Sequence, residues 1–94
     1  MNLDKEFIDQ IWRKASVVDE YNSDLYRKDA CGAWIMKDKE GDRDHTFGWE
    51  IDHIFPLSMG GGDDIDNLRP LHWKNNVSKG DSYPRYKSVV TSNG

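Results

Sequence analysis

Asp52 and His53 are adjacent, Asn67 lies fourteen residues beyond His53, and Asn76 lies nine beyond Asn67. Between the histidine and the first asparagine runs "HIFPLSMGGGDDIDN", which contains three consecutive glycines. Histidine is the side chain whose ordinary pKa suits proton abstraction near neutrality. Carboxylate and carboxamide oxygens suit hard divalent cations such as Mg²⁺ or Mn²⁺. A base for water, set beside positive charge that stabilises a phosphorane, is what phosphodiester cleavage needs. Each residue alone has an ordinary reading: a structural histidine, a turn asparagine, a solvated helix asparagine, a flexible glycine connection. The glycine run is not followed by Gly-Lys-Ser/Thr, so it is not a P-loop. The joint order and spacing carry the signal.

These residues need elements to hold them. "NLDKEFIDQIWRKA" places Phe7, Ile8, Ile11 and Trp12 on one side of a helix over about 4–15, with Asn2 or Asp4 as N-cap. Residues 16–29 are polar with scattered apolar positions and read as an irregular connection. "CGAWIM" (Cys31–Met36) reads as a short strand, followed by a polar turn, "KDKEGDRD". "TFGWEIDHI" (Thr46–Ile54) reads as a second strand that pairs with the first. Adjacent strand residues point to opposite faces, so Asp52 and His53 share a pocket only where the strand ends and the chain turns. Pro56–Asp64 is loop. "NLRPL" (Asn67–Leu71) is extended, and Pro70 confines it to an edge or strand end. "HWKNNVSKG" fits a short helix stopped by Gly80. There His72, Asn76 and Lys79 share one face, while Trp73 and Val77 form an apolar stripe beside it. "SVVTSNG" (88–94) reads as a flexible tail.

At 94 residues the size prior gives one domain. Four tryptophans supply much of a small core, since each ring removes about 150–250 Å² from water. No stretch approaches the roughly 18 apolar residues of a membrane span. "MNLDKEFIDQ" has no signal-peptide character, so a cytoplasmic location is expected. Cys31, the single cysteine, makes neither an internal disulfide nor a multi-cysteine zinc cage and reads as a small buried residue. The net charge of −4 argues against a general nucleic-acid coat. Its distribution is uneven: residues 1–68 hold 8 Lys/Arg against 16 Asp/Glu, and residues 69–94 hold 5 against 1. Arg69, Lys74, Lys79, Arg85 and Lys87 are interleaved with Trp73, Tyr83 and Tyr86, a mixture suited to phosphate contact and stacking or to an ordinary solvated surface.

"EIDHIFPLSMGGGDDIDNLRPLHWKNNVSKGD" resembles the HNH endonuclease motif, over about a third of the chain. "YRKDACGAWI" and "GWEIDHI" are similar to segments of small stand-alone HNH proteins. The resemblance implies an α+β chain with a ββα-metal (HNH, His-Me finger) fold, an N-terminal helix and a short antiparallel sheet, with its core motif at 49–81 of a single domain. It implies a metal-dependent endonuclease that hydrolyses DNA phosphodiester bonds. His53 then matches the general base, Asp52 and Asn76 the ligands of one divalent metal, and Asn67 the asparagine that pins the loop and orients the histidine. Mg or Mn is the expected ion, with Zn or Ni as alternatives. Lys79, His72, Arg69 and Lys74 are candidate phosphate or DNA contacts. Glu50, two residues before Asp52 on the same strand face, reads as a surface carboxylate, with assistance to the metal as the alternative, and His45 has no assigned role. Many relatives hold a structural zinc with two Cys-x-x-Cys pairs. Here the corresponding helix positions are His72 and Asn75, so no such zinc is expected. DNA is the expected partner, with a second protein that delivers it as a further one. The competing reading is a non-catalytic nucleic-acid- or protein-binding module that keeps the HNH fold, favoured by the acidic balance.

Overall fold

The computed structural model describes residues 3–92; the alternative cap Asn2 and residues 93–94 of the expected tail lie outside them. Helix α1 spans Lys5–Trp12, somewhat less than the sequence suggested. Asp4 caps it, accepting a hydrogen bond from Phe7 N at 2.9 Å. That bond satisfies one of the first-turn N–H groups that have no partner inside a helix. Ile11 and Trp12 point inward and join Ala15, Ile35, Trp49 and Leu68 in the core, with Phe7 and Ile8 packed against it. The rings of Trp12 and Trp49 meet at 5.5 Å and 43°. Their indole N–H groups donate to the carbonyls of Ser23 and Met36, each at 2.9 Å, so neither donor is orphaned. At about 25 cal/mol per Å², each ring contributes on the order of 4–6 kcal/mol of transfer free energy.

Two short antiparallel sheets follow. Strand β1 (Tyr26–Lys28) pairs with β2 (Trp34–Met36). Strand β3 (Trp49–His53) pairs with β4 (Leu68–His72). This corrects two expectations. Residues 26–28 are a strand and not irregular connection, and β2 pairs with them instead of with β3. The sequence hid β1 because its one inward side chain is Arg27, whose guanidinium donates to the carbonyls of Ser23, Arg13 and Ala15. A buried arginine breaks the alternation by which a strand is read. Strand β3 finds its partner in β4, which brings the fully buried Leu68 and Leu71. Pro70 sits opposite Ile51 in this two-stranded sheet, where every strand is an edge, so its missing N–H costs no central ladder bond.

Helix α2 (Trp73–Lys79) begins directly after β4, with His72 as N-cap and Gly80 as C-cap. Its buried face is polar, carrying Asn75 and Lys79, whereas Val77 is 54% exposed. The expected Trp73/Val77 stripe therefore does not pack down. The reason lies in Asn75. Its carboxamide accepts from Val89 N and Val90 N, and donates to the Val90 carbonyl and to Asp29 Oδ2. Asp29, also buried, accepts from His72 N at 2.8 Å, and so ties the β1–β2 turn to the start of α2. These bonds also correct the reading of 88–94 as a flexible tail. Val89 and Val90 are fastened to Asn75, and Ser92 bonds to Gly32, Trp34 and Lys28.

Candidate functional site

The β3–β4 register sets the site. Asp52 lies opposite Arg69, and His53 opposite Leu68, at the C-terminal end of β3. Arg69 Nε donates to Asp52 Oδ2 at 2.8 Å across the pair, an opposite-charge neighbour of the kind that stabilises a two-stranded sheet. From α2, Lys79 brings its ammonium to Asp52 Oδ1 at 3.1 Å and donates to the His53 carbonyl at 2.9 Å. Asp52 and Lys79 are 3% and 2% exposed. A carboxylate this deep has exchanged bulk water for two cationic partners.

Asp52, His53 and Asn76 line one open cleft of about 150 Å³. Ile51, Pro56 and Leu57 form its apolar wall, and Gly80 and Asp81 its far rim. The strand end is what allows neighbouring residues 52 and 53 to reach the same space, since a regular strand would send them to opposite faces. The His53 ring keeps 15% of its surface exposed, and its Nε2 lies 2.8 Å from Asp63 Oδ1. That hydrogen bond holds the Asp63 carboxyl below its ordinary range.

Asn67 holds the loop between strand and strand. Its side chain accepts from Phe55 N at 2.8 Å and donates to the carbonyls of Phe55 and Gly62 at 3.0 and 2.9 Å. One carboxamide thus clamps both ends of the glycine stretch. Glycine is required within it for two separate reasons. Gly60 has φ +97°, in the left-handed region that side chains disfavour. A Cβ on Gly61 would lie 1.8 Å from the Phe55 carbonyl oxygen, which no side chain permits.

Asn76 Nδ2 donates to Glu50 Oε1 at 2.9 Å, and Arg43 grips the same carboxylate through Nε and Nη2 at 2.6 and 3.0 Å. A carboxylate can only accept, so the nitrogen end of the Asn76 amide must face Glu50 and its oxygen end faces away. The hydrogen bond from Arg43, and to a smaller degree that from Asn76, hold the Glu50 carboxyl below its ordinary range against the upward push of burial.

Residues 38–82 match the family model described as HNH endonuclease. Over that segment, just under half of the chain, the sequence is similar to an HNH domain. No curated protein and no solved structure matches the chain. The HNH match takes in β3, the glycine loop, β4 and α2, while α1, β1 and β2 precede it. An HNH domain is a nuclease-type fold; its family acts on nucleic acid and uses a divalent metal.

Within the matched segment the residues singled out in the sequence fall into two groups. Asp52, His53 and Asn76 meet at the cleft, and Asn67 lies behind it in the loop. The candidate phosphate contacts scatter. His72 is 2% exposed, with Nε2 2.7 Å from the Thr46 carbonyl and Nδ1 accepting from Lys74 N. Both ring nitrogens are engaged, so His72 offers a phosphate nothing. Lys79 is spent on Asp52 and His53. Arg69 bonds Asp52 and, at 3.1 Å, the Tyr86 hydroxyl. Lys74 remains exposed, its ammonium over the Trp73 ring at 5.4 Å. Cys31 is half-buried instead of fully buried, with Sγ 3.4 Å from the Tyr86 hydroxyl. Burial, and after it that contact, push the Tyr86 phenol up to about 12.

Asp63 and Asp81 escaped the sequence reading, and Glu50 and Arg69 were read in other roles. Glu50 is no mere surface acid, since it fixes the Asn76 amide. Asp63 touches the His53 ring, Arg69 neutralises Asp52, and Asp81 stands at the cleft rim. Arg69 was detectable only through the strand register. Asp81, in the Lys-Gly-Asp end of the motif, had a signal in its position alone.

Proposed function

We propose that this chain is a metal-dependent HNH endonuclease, a single ββα-metal unit that hydrolyses DNA phosphodiester bonds. The observation that carries the reading is the convergence of Asp52, His53 and Asn76 on one cleft inside the HNH match. The donor chemistry fits a hard divalent cation such as Mg²⁺ or Mn²⁺. The cleft supplies one carboxylate and one carboxamide, the latter with its oxygen turned away from Glu50. Among the described residues there is no cluster of three or more His, Cys, Asp or Glu. Two protein oxygens with water and phosphate oxygens completing the shell is the usual manner of holding Mg²⁺. Each Asp52 oxygen accepts one bond from a cation and keeps a second lone pair.

Asp52 and Asn76 would hold the ion, which when bound supplies positive charge to the phosphate and to the leaving oxygen. The chain's own residues do the remainder. His53 takes a proton from a water molecule, whose oxygen forms the new P–O bond as one bridging P–O bond breaks. Arg69 and Lys79 hold the Asp52 carboxylate in place through one contact to each oxygen. Asn67 keeps the loop closed beside the histidine. Lys74, in no ion pair among the described residues and with its ammonium over the Trp73 ring, is the side chain best placed among the earlier candidates for DNA. With so little free basic surface, a partner protein that delivers the substrate completes the reading.

The test is nicking of supercoiled plasmid in Mg²⁺ or Mn²⁺, with metal binding followed by calorimetry. Wild type should nick, and His53→Ala should lose at least about a hundredfold, the lower range for a positioned base. Equal and negligible nicking by both proteins with metal bound would overturn the reading. One observation favours a second reading, a binding module without catalysis: both Asp52 oxygens are already held by cations of the chain. Binding to DNA with no turnover in any divalent metal would select it.

A further inference from the structure

We propose that Asp63 is the positioning residue for His53, fixing the ring's orientation and leaving Nδ1 as the nitrogen that accepts the proton. The inference rests on the nuclease reading above and extends it to a residue outside the Asp52/His53/Asn67/Asn76 set.

The argument begins with donors and acceptors. His53 Nε2 is 2.8 Å from Asp63 Oδ1. An ionised carboxylate only accepts, so Nε2 must carry the hydrogen. In the neutral ring the single remaining lone pair then sits on Nδ1. A histidine free to rotate presents either nitrogen in either tautomer, and a base must present one bare nitrogen in one place. The carboxylate does both jobs, as a buried aspartate does for the histidine of a hydrolytic triad. Unlike that aspartate, Asp63 is 44% exposed, so its hold on the ring is weaker and the effect of losing it smaller.

Asp63 can do this only because its own place is set by the loop. It follows Gly62, whose carbonyl is one of the two that the Asn67 amide holds. Asn67 N also donates to the carbonyl of Asp64 at 2.8 Å, so the backbone is fixed on both sides of Asp63. Gly61 N donates to the Pro56 carbonyl at 2.9 Å, closing the loop back towards the end of β3. The chain of contacts therefore runs from Asn67 through the glycine stretch to Asp63 and thence to the ring. That gives the glycines a chemical task beyond flexibility: they bring a carboxylate ten residues away back onto the histidine. Among the described residues near the ring, Lys79 donates to the His53 carbonyl and pairs with Asp52, and Asp81 lines the same cleft.

The experiment compares wild type, Asp63→Ala and Asp63→Asn, each labelled with ¹⁵N in the imidazole rings and examined at a pH where the rings are neutral. In wild type the two His53 nitrogen shifts should be widely split, with the hydrogen on Nε2. Asp63→Ala should draw the two shifts together as tautomers mix. Asp63→Asn, which can donate as well as accept, should fall between. In plasmid nicking, Asp63→Ala should lower kcat roughly 10- to 100-fold with KM within about twofold, at a melting temperature unchanged from wild type, which excludes loss of structure as the cause. Unchanged ¹⁵N shifts in Asp63→Ala would overturn the proposal, whether or not the protein cleaves DNA. Shifts that are split in wild type and collapse in Asp63→Ala, with no nicking by wild type, would instead leave the positioning intact and sink the nuclease reading.

Discussion

Lys79 Nζ stands 3.1 Å from Asp52 Oδ1, and the two side chains are 2% and 3% exposed. A helix residue and a strand residue are thus joined through charge at the floor of the cleft, with Arg69 completing the balance on the other oxygen. Removing one partner of a buried pair leaves an uncompensated charge, which costs more than the pair itself contributes. Lys79→Met keeps the volume and removes the charge. Because Arg69 stays, the loss should fall near about 3 kcal/mol, the lower end for such pairs. Asp52→Asn, which strands two cations, should cost more. Urea unfolding of both variants at pH 7 checks this; a loss under about 1 kcal/mol for either, or the reverse order, refutes it.

Glu50 gives a prediction in pH. Its carboxyl is lowered from 4.5, chiefly by the hydrogen bond from Arg43. A carboxyl whose pKa falls on folding contributes stability above its unfolded value and loses it as pH drops through the folded value. Glu50→Gln should therefore melt below wild type at pH 7. The gap should close as pH falls below about 4.5, and a gap that stays constant to pH 3 would show that the charge plays no part. The Arg43 partner of Glu50 is 57% exposed, so solvent screening keeps the difference small.

Asn67 makes three hydrogen bonds that no other side chain can replace in that geometry. At about 0.5–1.5 kcal/mol per bond, Asn67→Ala should lose roughly 2–3 kcal/mol. The loop should open before the rest of the fold. Amide exchange at Phe55, whose N–H loses its acceptor, should rise well above the global unfolding rate. Retained protection at that amide would refute the clamp.

Asn75 fastens the last described residues through Val89 and Val90. Asn75→Ala should release them, and trypsin should then cut after Arg85 and Lys87 several times faster than in wild type. An unchanged digestion rate would mean that the segment is held elsewhere. The same variant should destabilise by about 2 kcal/mol or more, because Asp29 and two backbone amides lose a buried partner.

Legibility in the sequence followed the reach of each interaction. Helix α1 and its Asp4 cap were readable because capping and amphipathic spacing act within four residues. The α2 stop at Gly80 was readable for the same reason. Strand pairing was not: β2 offered no local sign that its neighbour would be β1, whose inward residue is an arginine. Within the site, the types and intervals of Asp52, His53, Asn67 and Asn76 stood out from sequence alone. Their partners did not. Glu50 and Arg43 meet Asn76 only because α2 crosses β3, and Asp63 meets His53 only because Asn67 folds the loop back.

The order of residues by itself determined the list of chemical groups, the two helices and the glycine-rich reversal, since each depends on neighbours along the chain. Tertiary structure alone decided which cations sit on Asp52, which end of the Asn76 amide faces the cleft, and that His72 and Lys79 are buried. Those outcomes depend on hydrogen bonds and charges that join residues ten to twenty-seven positions apart. No local propensity encodes a contact over that separation; only the packed register of β3, β4 and α2 does.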